Sequence, residues 1–450
     1  MILRFTLRRA LVAGCAAIVA GLAENTAFAA PVVTIHMPLA ARASASVLGG
    51  GRIKHVIVLI QENRSFDNLF NGFPGADTVS VGLGHNGQRI ALVKSGLEQI
   101  FDPQHGHTDW LTEYDGGKMD GFDLEKTDPS TSQANPAYEF VDPNEIGPYF
   151  SLAKQYGLAD RMFASQTGPS YPGHAYIIAG QSNFAIGNPT DPFGRWGCDA
   201  RTGTTTEVLT PTGNDVVDGP YPCFDYQTLG DLLDRAGIAW RYYANIGSQA
   251  GLAEILPDPY DAIRHIRFGA DWASDTTTSP EQILTDIPFG NLAPVSWVNP
   301  PFVASDHPQS NLGLGPSWVG TIVNEVEQSR YASDTVVLVT WDDWGGWYDH
   351  VKPRRKDVMG LGFRVPLLVV SPYVVHPGYV SHVEHEYGSI VHFIEDVFGL
   401  PSLGQRDATS DDLSDFFRFA QPLVRRPLVR TRVGRQTLMQ LPPDTRGDEE

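Results

Sequence analysis

His55-Val56-Ile57-Val58-Leu59-Ile60-Gln61-Glu62-Asn63-Arg64-Ser65-Phe66-Asp67 is the stretch whose reading decides the fold. From 55 to 60 it is largely apolar and β-branched, which predicts a strand buried on both faces. Gln61, Glu62, Asn63 and Arg64 follow at once. A carboxylate and an amide are thereby set where a parallel strand stops, and in open α/β sheets ligands bind outside the carboxyl ends of the strands. Glu62 offers anionic oxygen to a hard cation, and Asn63 an amide donor to an oxyanion. The plain alternative is a polar strand-to-loop turn.

Outward from this stretch, the apolar pattern alternates between strand and helix. Further strands are expected at 238–243, 294–298, 335–341 and 364–370, the last stopped by Ser371-Pro372. Helices are expected at 148–156, closed by Gly157 as a carboxyl cap, and at 228–236 and 319–328, with another inside 384–398. The small apolar run 175–180 follows Gln166-Thr167-Gly168-Pro169-Ser170-Tyr171-Pro172-Gly173-His174, which places Ser170 at a helix amino terminus. There the backbone N–H groups and the dipole favour an anion such as phosphate; the alternative is a plain serine cap. Such alternation predicts βαβ units and an α/β fold. No internal repeat and no domain linker interrupts it.

The chain has 450 residues, with 42% hydrophobic and 19% charged, enough for a large core. Its net charge of −19 argues against a nucleic-acid partner, which calls for a basic surface. An anionic substrate stays compatible with it, because a bound cation reverses the local sign. At the amino terminus Arg4, Arg8 and Arg9 precede an apolar run, and Ala27-Phe28-Ala29 offers a small-x-small cleavage pattern. Residues 1–29 therefore read as a signal peptide, 30–51 as a loosely ordered lead-in, and the product as secreted or periplasmic. No stable membrane span is expected after cleavage, since the run is short for one; an uncleaved anchor is the alternative. Cys15 would leave with the signal. Cys198 and Cys223 then suggest one disulfide across a turn-rich insertion at 191–226, against the alternative of two free buried thiols.

Several stretches place potential ligands at or after inferred strand ends: Glu62-Asn63, Asp342-Asp343 and the loop holding His307. Adjacent buried carboxylates repel unless a cation or proton lies between them, so Asp342-Asp343 argues for a metal. Ser170 would supply a nucleophile whose hydroxyl a cation helps ionise. The segment Gly168-Pro169-Ser170-Tyr171-Pro172 is not G-x-S-x-G, which weakens an α/β-hydrolase reading.

Gln61 to Asp67, Gly117-Lys118-Met119-Asp120-Gly121-Phe122, Gly168 to Pro172, Asp306-His307-Pro308 and Asp342-Asp343 through His350-Val351 occur in an order that resembles a known family. It is the bacterial phosphoesterase family of phospholipases C and related acid phosphatases, within the alkaline-phosphatase-like superfamily. The likeness runs from about His55 to Leu400. It implies a three-layer α/β/α sandwich with a mostly parallel central sheet. It further implies a catalytic domain at 52–400, while the Pro-, Arg- and Asp-rich composition beyond it predicts an irregular carboxyl-terminal tail, 401–450, packed on it. By the same resemblance Glu62, Asn63, Ser170, Asp342 and Asp343 would hold one divalent metal ion of unspecified identity. Ser170 would attack phosphorus and carry a phosphoryl-enzyme intermediate, while Asn63, His105 and His307 would contact the phosphoryl oxygens or the leaving group. His105, rather than His107, matches the family's Asp-Pro-x-His pattern, and His350 would stand behind the ligands. The chain departs from the family at Glu386-Tyr387-Gly388-Ser389, where many relatives have Asp-His-Thr-Ser, leaving His382 and His385 as possible substitutes.

The implied activity is that of an acid phosphatase or a phospholipase C, acting on a phosphate ester or a phospholipid. Because the chain ends soon after the catalytic region, a phosphatase-like or broad activity is the first expectation. A sulfatase is the nearest rival, although His174 stands where that family requires Arg. A secreted binding protein that has lost activity is the rival from another class. The aromatic segment 344–348 could meet a lipid, with packing as the plainer reading.

Overall fold

The stretch read first forms a strand in the middle of an eight-stranded sheet: β1, His55–Gln61, buried at every residue after His55. The computed structural model describes residues 48–188, 197–244, 258–277, 279–310, 312–423 and 426–441. The other sheet strands are β2, Gly157–Ala159; β3, Trp240–Tyr243; β4, Thr276–Thr277; β5, Val295–Val298; β6, Thr335–Trp341; β7, Leu367–Val370; and β8, Tyr379–Ser381. Their spatial order is β4-β3-β5-β1-β6-β7-β2-β8. β1 runs parallel to β5 on one side and β6 on the other. β7 alone is reversed, antiparallel to both β6 and β2. All seven residues of β6 are buried, which a sheet covered on both faces requires of its central strands.

The helices that frame the site and the sheet are α1, Phe66–Phe70; α2, His107–Tyr114; α3, Gly147–Gln155; α4, Ser170–Ala179; α5, Leu229–Ala236; α6, Ile283–Phe289; α7, Gly315–Gln328; and α8, Tyr387–Phe398. α3, α6 and α7 pack together as one layer, and α4, α5 and α8 as the other. The molecule is an α/β/α sandwich with a mostly parallel sheet. Register then decides where the chemistry emerges. Gln61 lies opposite Trp341, so Glu62 and Asp342 leave the sheet side by side. Tyr243 lies opposite Val298 two strands along, which brings Asn299 out at the same edge.

Two local expectations fail for physical reasons. α3 ends at Gln155 with Tyr156 as its cap, and Gly157 is the first residue of β2 rather than a left-handed cap. A Cβ at Gly157 would stand 2.7 Å from Phe416 Cδ1, so close approach is what requires glycine there. The strand expected at 364–370 begins only at Leu367. Pro366 has no N–H for a ladder, and the Arg364 side chain is drawn into buried ion pairs with Asp349, at 2.8 Å, and Asp67, at 3.4 Å.

The described part of the 191–226 segment carries the Cys198–Cys223 disulfide and a small hairpin, Val208–Leu209 against Asp215–Val216. It packs on α4, where Phe224 stacks on Tyr171 at 6.2 Å between ring centroids. Beyond α8 the chain is irregular, yet Leu403, Leu413 and Phe416 are buried. The expected signal segment, most of the lead-in, positions 191–196 and positions 442–450 lie outside the described residues. Among the described residues no helix is long and apolar enough to cross a membrane.

Candidate active site

Glu62, at the end of β1, and Asp342, at the end of β6, are fully buried. α4 delivers Ser170 to them: its Oγ donates to Glu62 Oε2 at 3.4 Å. Ser170 is the first helical residue and Pro169 takes the cap position, so the hydroxyl is not spent on capping. The helix comes this close because position 173 is glycine. A Cβ there would stand 2.2 Å from the Asp342 carbonyl oxygen. The first turn offers an anion fewer donors than its position promised, since Pro172 has no N–H and the Tyr171 N–H is taken by Asn188 Oδ1 at 2.9 Å.

One helical turn after Ser170, His174 points into the same spot. Its Nε2 lies 3.3 Å from Glu62 Oε1 and 3.7 Å from Asp342 Oδ2. Burial, against the opposing pull of Asp342, lowers its pKa to about 4, so the ring is neutral. This residue was missed as a ligand in the sequence, although the spacing of four on a helix puts it on the Ser170 face.

Asn63 joins this group to a second one. Its backbone N–H donates to Asp342 Oδ1 at 3.0 Å, and Asp343 N–H donates to the same oxygen at 2.8 Å. The Asn63 side-chain nitrogen reaches His105 Nε2 at 3.0 Å. His105 Nδ1 donates to the Pro103 carbonyl at 2.7 Å, which leaves Nε2 to accept from Asn63. Asp343 accepts from Gly345 N–H at 2.7 Å and lies 3.9 Å from His105 Nε2. The Asn63 amide nitrogen is thus committed to His105, and the amide oxygen is the atom able to face a cation.

His307 is placed by its neighbour. Asp306 is buried with φ of 72°, and its carboxylate accepts from Tyr149 Oη at 2.6 Å and Trp341 Nε1 at 3.2 Å. Burial, only partly offset by Tyr149 and Arg64, pushes the Asp306 pKa up to about 6. Arg64 Nε donates to the Asp306 carbonyl at 2.9 Å, and the Arg64 guanidinium lies over Trp347 at 5.1 Å. His307 Nε2 is 3.8 Å from Asp102 Oδ2, on the segment that carries His105.

The other candidate histidines go elsewhere. His107 Nδ1 bonds to Thr167 Oγ1 at 2.7 Å, and its Nε2 lies 3.7 Å from Asp215 of the hairpin. His350 binds Asp67 at 2.6 Å and Asp77 at 3.2 Å, within the ion pairs of Arg364. His382 binds Asp160, and His385 binds Asp411 and Ser381, so the structure gives neither a partner among Glu62, Ser170, Asp342 and Asp343. Trp344 and Trp347 are fully buried, and Trp344 Nε1 donates to Glu113 at 2.7 Å. The aromatic segment is packing.

These residues fit a cation. Glu62, His174 and Asp342 each offer one ligand atom, all within 4.8 Å of one another. Asp342 Oδ2 is buried and finds no hydrogen-bond donor among the described residues. Two buried carboxylates beside a neutral imidazole carry a desolvation cost that a cation offsets.

A model of the Phosphoesterase family matches residues 53–401. Phospholipase C A of Mycobacterium tuberculosis is 25% identical over 436 residues, covering 82% of this chain and 78% of that protein. Non-hemolytic phospholipase C of Pseudomonas aeruginosa is 25% identical over 433 residues, covering 82% and 58%. Non-specific phospholipase C1 of Arabidopsis thaliana is 23% identical over 419 residues, covering 82% and 71%. Among solved structures, a protein in the alkaline phosphatase superfamily from Vibrio parahaemolyticus aligns over 80% of this chain and 70% of that one, at 13% identity and a TM-score of 0.36.

Proposed function

The chain belongs to the Phosphoesterase family and is a hydrolase of phosphoric esters, and from that premise we propose that Ser170 is its nucleophile and that one divalent cation sits at Glu62, Asp342 and Ser170, with Asn63 and Asp343 completing the set. The observation that carries the reading is the meeting of Ser170 Oγ with Glu62 Oε2 at 3.4 Å, beside the Glu62, His174 and Asp342 group, at one sheet edge.

When bound, the cation supplies charge neutralisation at the phosphoryl group and favours the ionised serine hydroxyl. The protein does the rest. α4 holds Ser170 Oγ fixed for in-line attack, and phosphoryl transfer depends on such positioning more than on elaborate acid–base groups. Oγ loses its proton to water as it bonds to phosphorus, the bond from phosphorus to the leaving alcohol breaks on the opposite side, and the alcohol takes up a proton from water on the side where His307 lies. Water then cleaves the seryl ester, returning Ser170 and releasing the phosphoric product. Asn63 orients His105 through its amide. The buried aromatic wall of Trp344 and Trp347 keeps bulk water from the flank of the site.

The relatives carry the name phospholipase C, which supports phosphodiesters of the phospholipid type over simple phosphomonoesters as the substrate class. Export fits the apolar run behind Arg4, Arg8 and Arg9 and the Ala27-Phe28-Ala29 pattern. The test is hydrolysis of p-nitrophenylphosphorylcholine beside p-nitrophenyl phosphate. The expected outcome is faster release from the choline diester, abolished by a chelator and restored by a divalent ion. Ser170→Ala should lower the rate by roughly 10³-fold or more. Undiminished turnover in that variant ends the proposal, and formylglycine at position 170 by mass spectrometry would favour the sulfatase reading.

A further inference from the structure

We propose that His174 is a direct ligand of the cation, so that the site is a mixed nitrogen–oxygen centre that favours transition metals over calcium or magnesium. The inference rests on the metal-dependent reading above and deepens it.

The first argument is spacing. Two donors each about 2.1 Å from one ion stand roughly 3.0–3.4 Å apart, depending on octahedral or tetrahedral geometry. His174 Nε2 to Glu62 Oε1 is 3.3 Å, and Ser170 Oγ to Glu62 Oε2 is 3.4 Å. A charge-assisted hydrogen bond from imidazole to carboxylate would be shorter, about 2.7–2.9 Å. The fit is to shared ligation and not to direct pairing.

The second argument is the tautomer. Tyr242 Oη, from β3, donates to Asn299 Oδ1 at 2.9 Å. Its oxygen therefore faces His174 Nδ1, 3.5 Å away, as an acceptor. That sets the ring proton on Nδ1 and turns the Nε2 lone pair towards Glu62 and Asp342. A lone pair aimed at two carboxylates is repulsive without a cation between them and attractive with one. An outer partner of this kind, fixing ring orientation, is the usual companion of a metal-bound histidine.

The third argument concerns choice of metal. Glu62, Asp342, Ser170 and the Asn63 amide are all oxygen donors, which alone suit calcium or magnesium. One imidazole shifts preference towards zinc, cobalt or nickel. His174 is fully buried on α4, so its nitrogen is not interchangeable with bulk water.

The test uses the whole mature protein and reads the metal directly. X-ray absorption on cobalt- or zinc-loaded wild type should show imidazole scattering in the first shells, and that scattering should be lost in His174→Gln. Competition against a chelator should show cobalt and zinc affinity falling tenfold or more in His174→Gln, with calcium affinity changed less than threefold. The apo form of each protein is melted alongside, to show that the variant folds. An all-oxygen shell in the wild type, or cobalt affinity unchanged by the substitution, overturns the inference and leaves the phosphoesterase reading standing. A wild type that takes up no divalent metal overturns both.

Discussion

Asn63 has φ of 55°, a left-handed conformation that few residues other than glycine adopt, and Asn is among those that do. The strain is held by what surrounds it: Asp342 Oδ1 on its N–H and His105 on its amide. Gly345 makes room, since a Cβ there would stand 2.3 Å from the Asn63 carbonyl oxygen. At this scale the choice between the two loop histidines becomes testable. His105 touches Asn63 and Asp343, whereas His107 ties Thr167 to the hairpin. Substituting His105 by Gln should lower kcat roughly 10²-fold or more, in the range of a lost acid–base or positioning group. The same change at His107 should cost less than about tenfold and act on stability instead. Steady-state kinetics on both variants decide it; equal losses would make His107 a participant.

At the scale of elements, the site depends on how closely α4 meets the end of β6. Gly173→Ala puts a methyl 2.2 Å from the Asp342 carbonyl, so the helix must withdraw and take Ser170 with it. A destabilisation of about 1–3 kcal/mol is expected from the overpacking. The loss of kcat/KM should exceed what the shift in melting temperature explains. A second junction joins α1 to the segment after β6 through Asp67, Asp349, His350 and Arg364. Burial works against the charge on His350, but the hydrogen bond and charge of Asp67, with Asp349 behind, raise its pKa above the usual value. A histidine raised on folding contributes stability that is fully present below about pH 6.5 and is lost as pH climbs through its higher folded value. Thermal melts of the wild type should therefore fall more steeply with pH above about 6.5 than those of His350→Gln; parallel curves would show that the pair contributes nothing.

For the whole molecule, the insertion is tied to the catalytic face. The Cys198–Cys223 bond closes a segment separated by 25 positions, and Phe224 beside it stacks on Tyr171, the residue after the nucleophile. Closing a loop of that size restricts the unfolded chain by about 3.5 kcal/mol. The double change Cys198→Ser, Cys223→Ser should lower the urea midpoint accordingly. It should reduce kcat at denaturant concentrations where the core, followed by tryptophan fluorescence, is still folded. Coincident loss of both signals would show that the insertion and the sheet unfold as one.

Much of this architecture was legible because central strands leave a plain mark. β1 and β6 are continuous apolar runs of full strand length, and each is followed directly by carboxylates. β2 and β8 are three residues long and exist because neighbours pair with them, so no local pattern announces them. The direction of β7 was equally hidden, since an apolar run reads the same whether its partner is parallel or antiparallel. Among the site residues, Glu62, Asn63, Ser170, Asp342 and Asp343 could be named from strand ends and motif order. His174 was open to the same reasoning, through its spacing from Ser170. Tyr242 and Asn299 were not, because they reach His174 only through the register of β3 with β5.

By itself the sequence determined the chemistry at hand: which carboxylates, which hydroxyl and which imidazoles the chain could bring to an ion, because side-chain identity and strand length are local properties. Only the tertiary structure decided which of them meet. Parallel pairing of β1 with β6 sets Glu62 beside Asp342, and the glycine contact under α4 sets the distance from Ser170 to both. Such distances are fixed by the packing of segments more than a hundred residues apart, which no local pattern encodes.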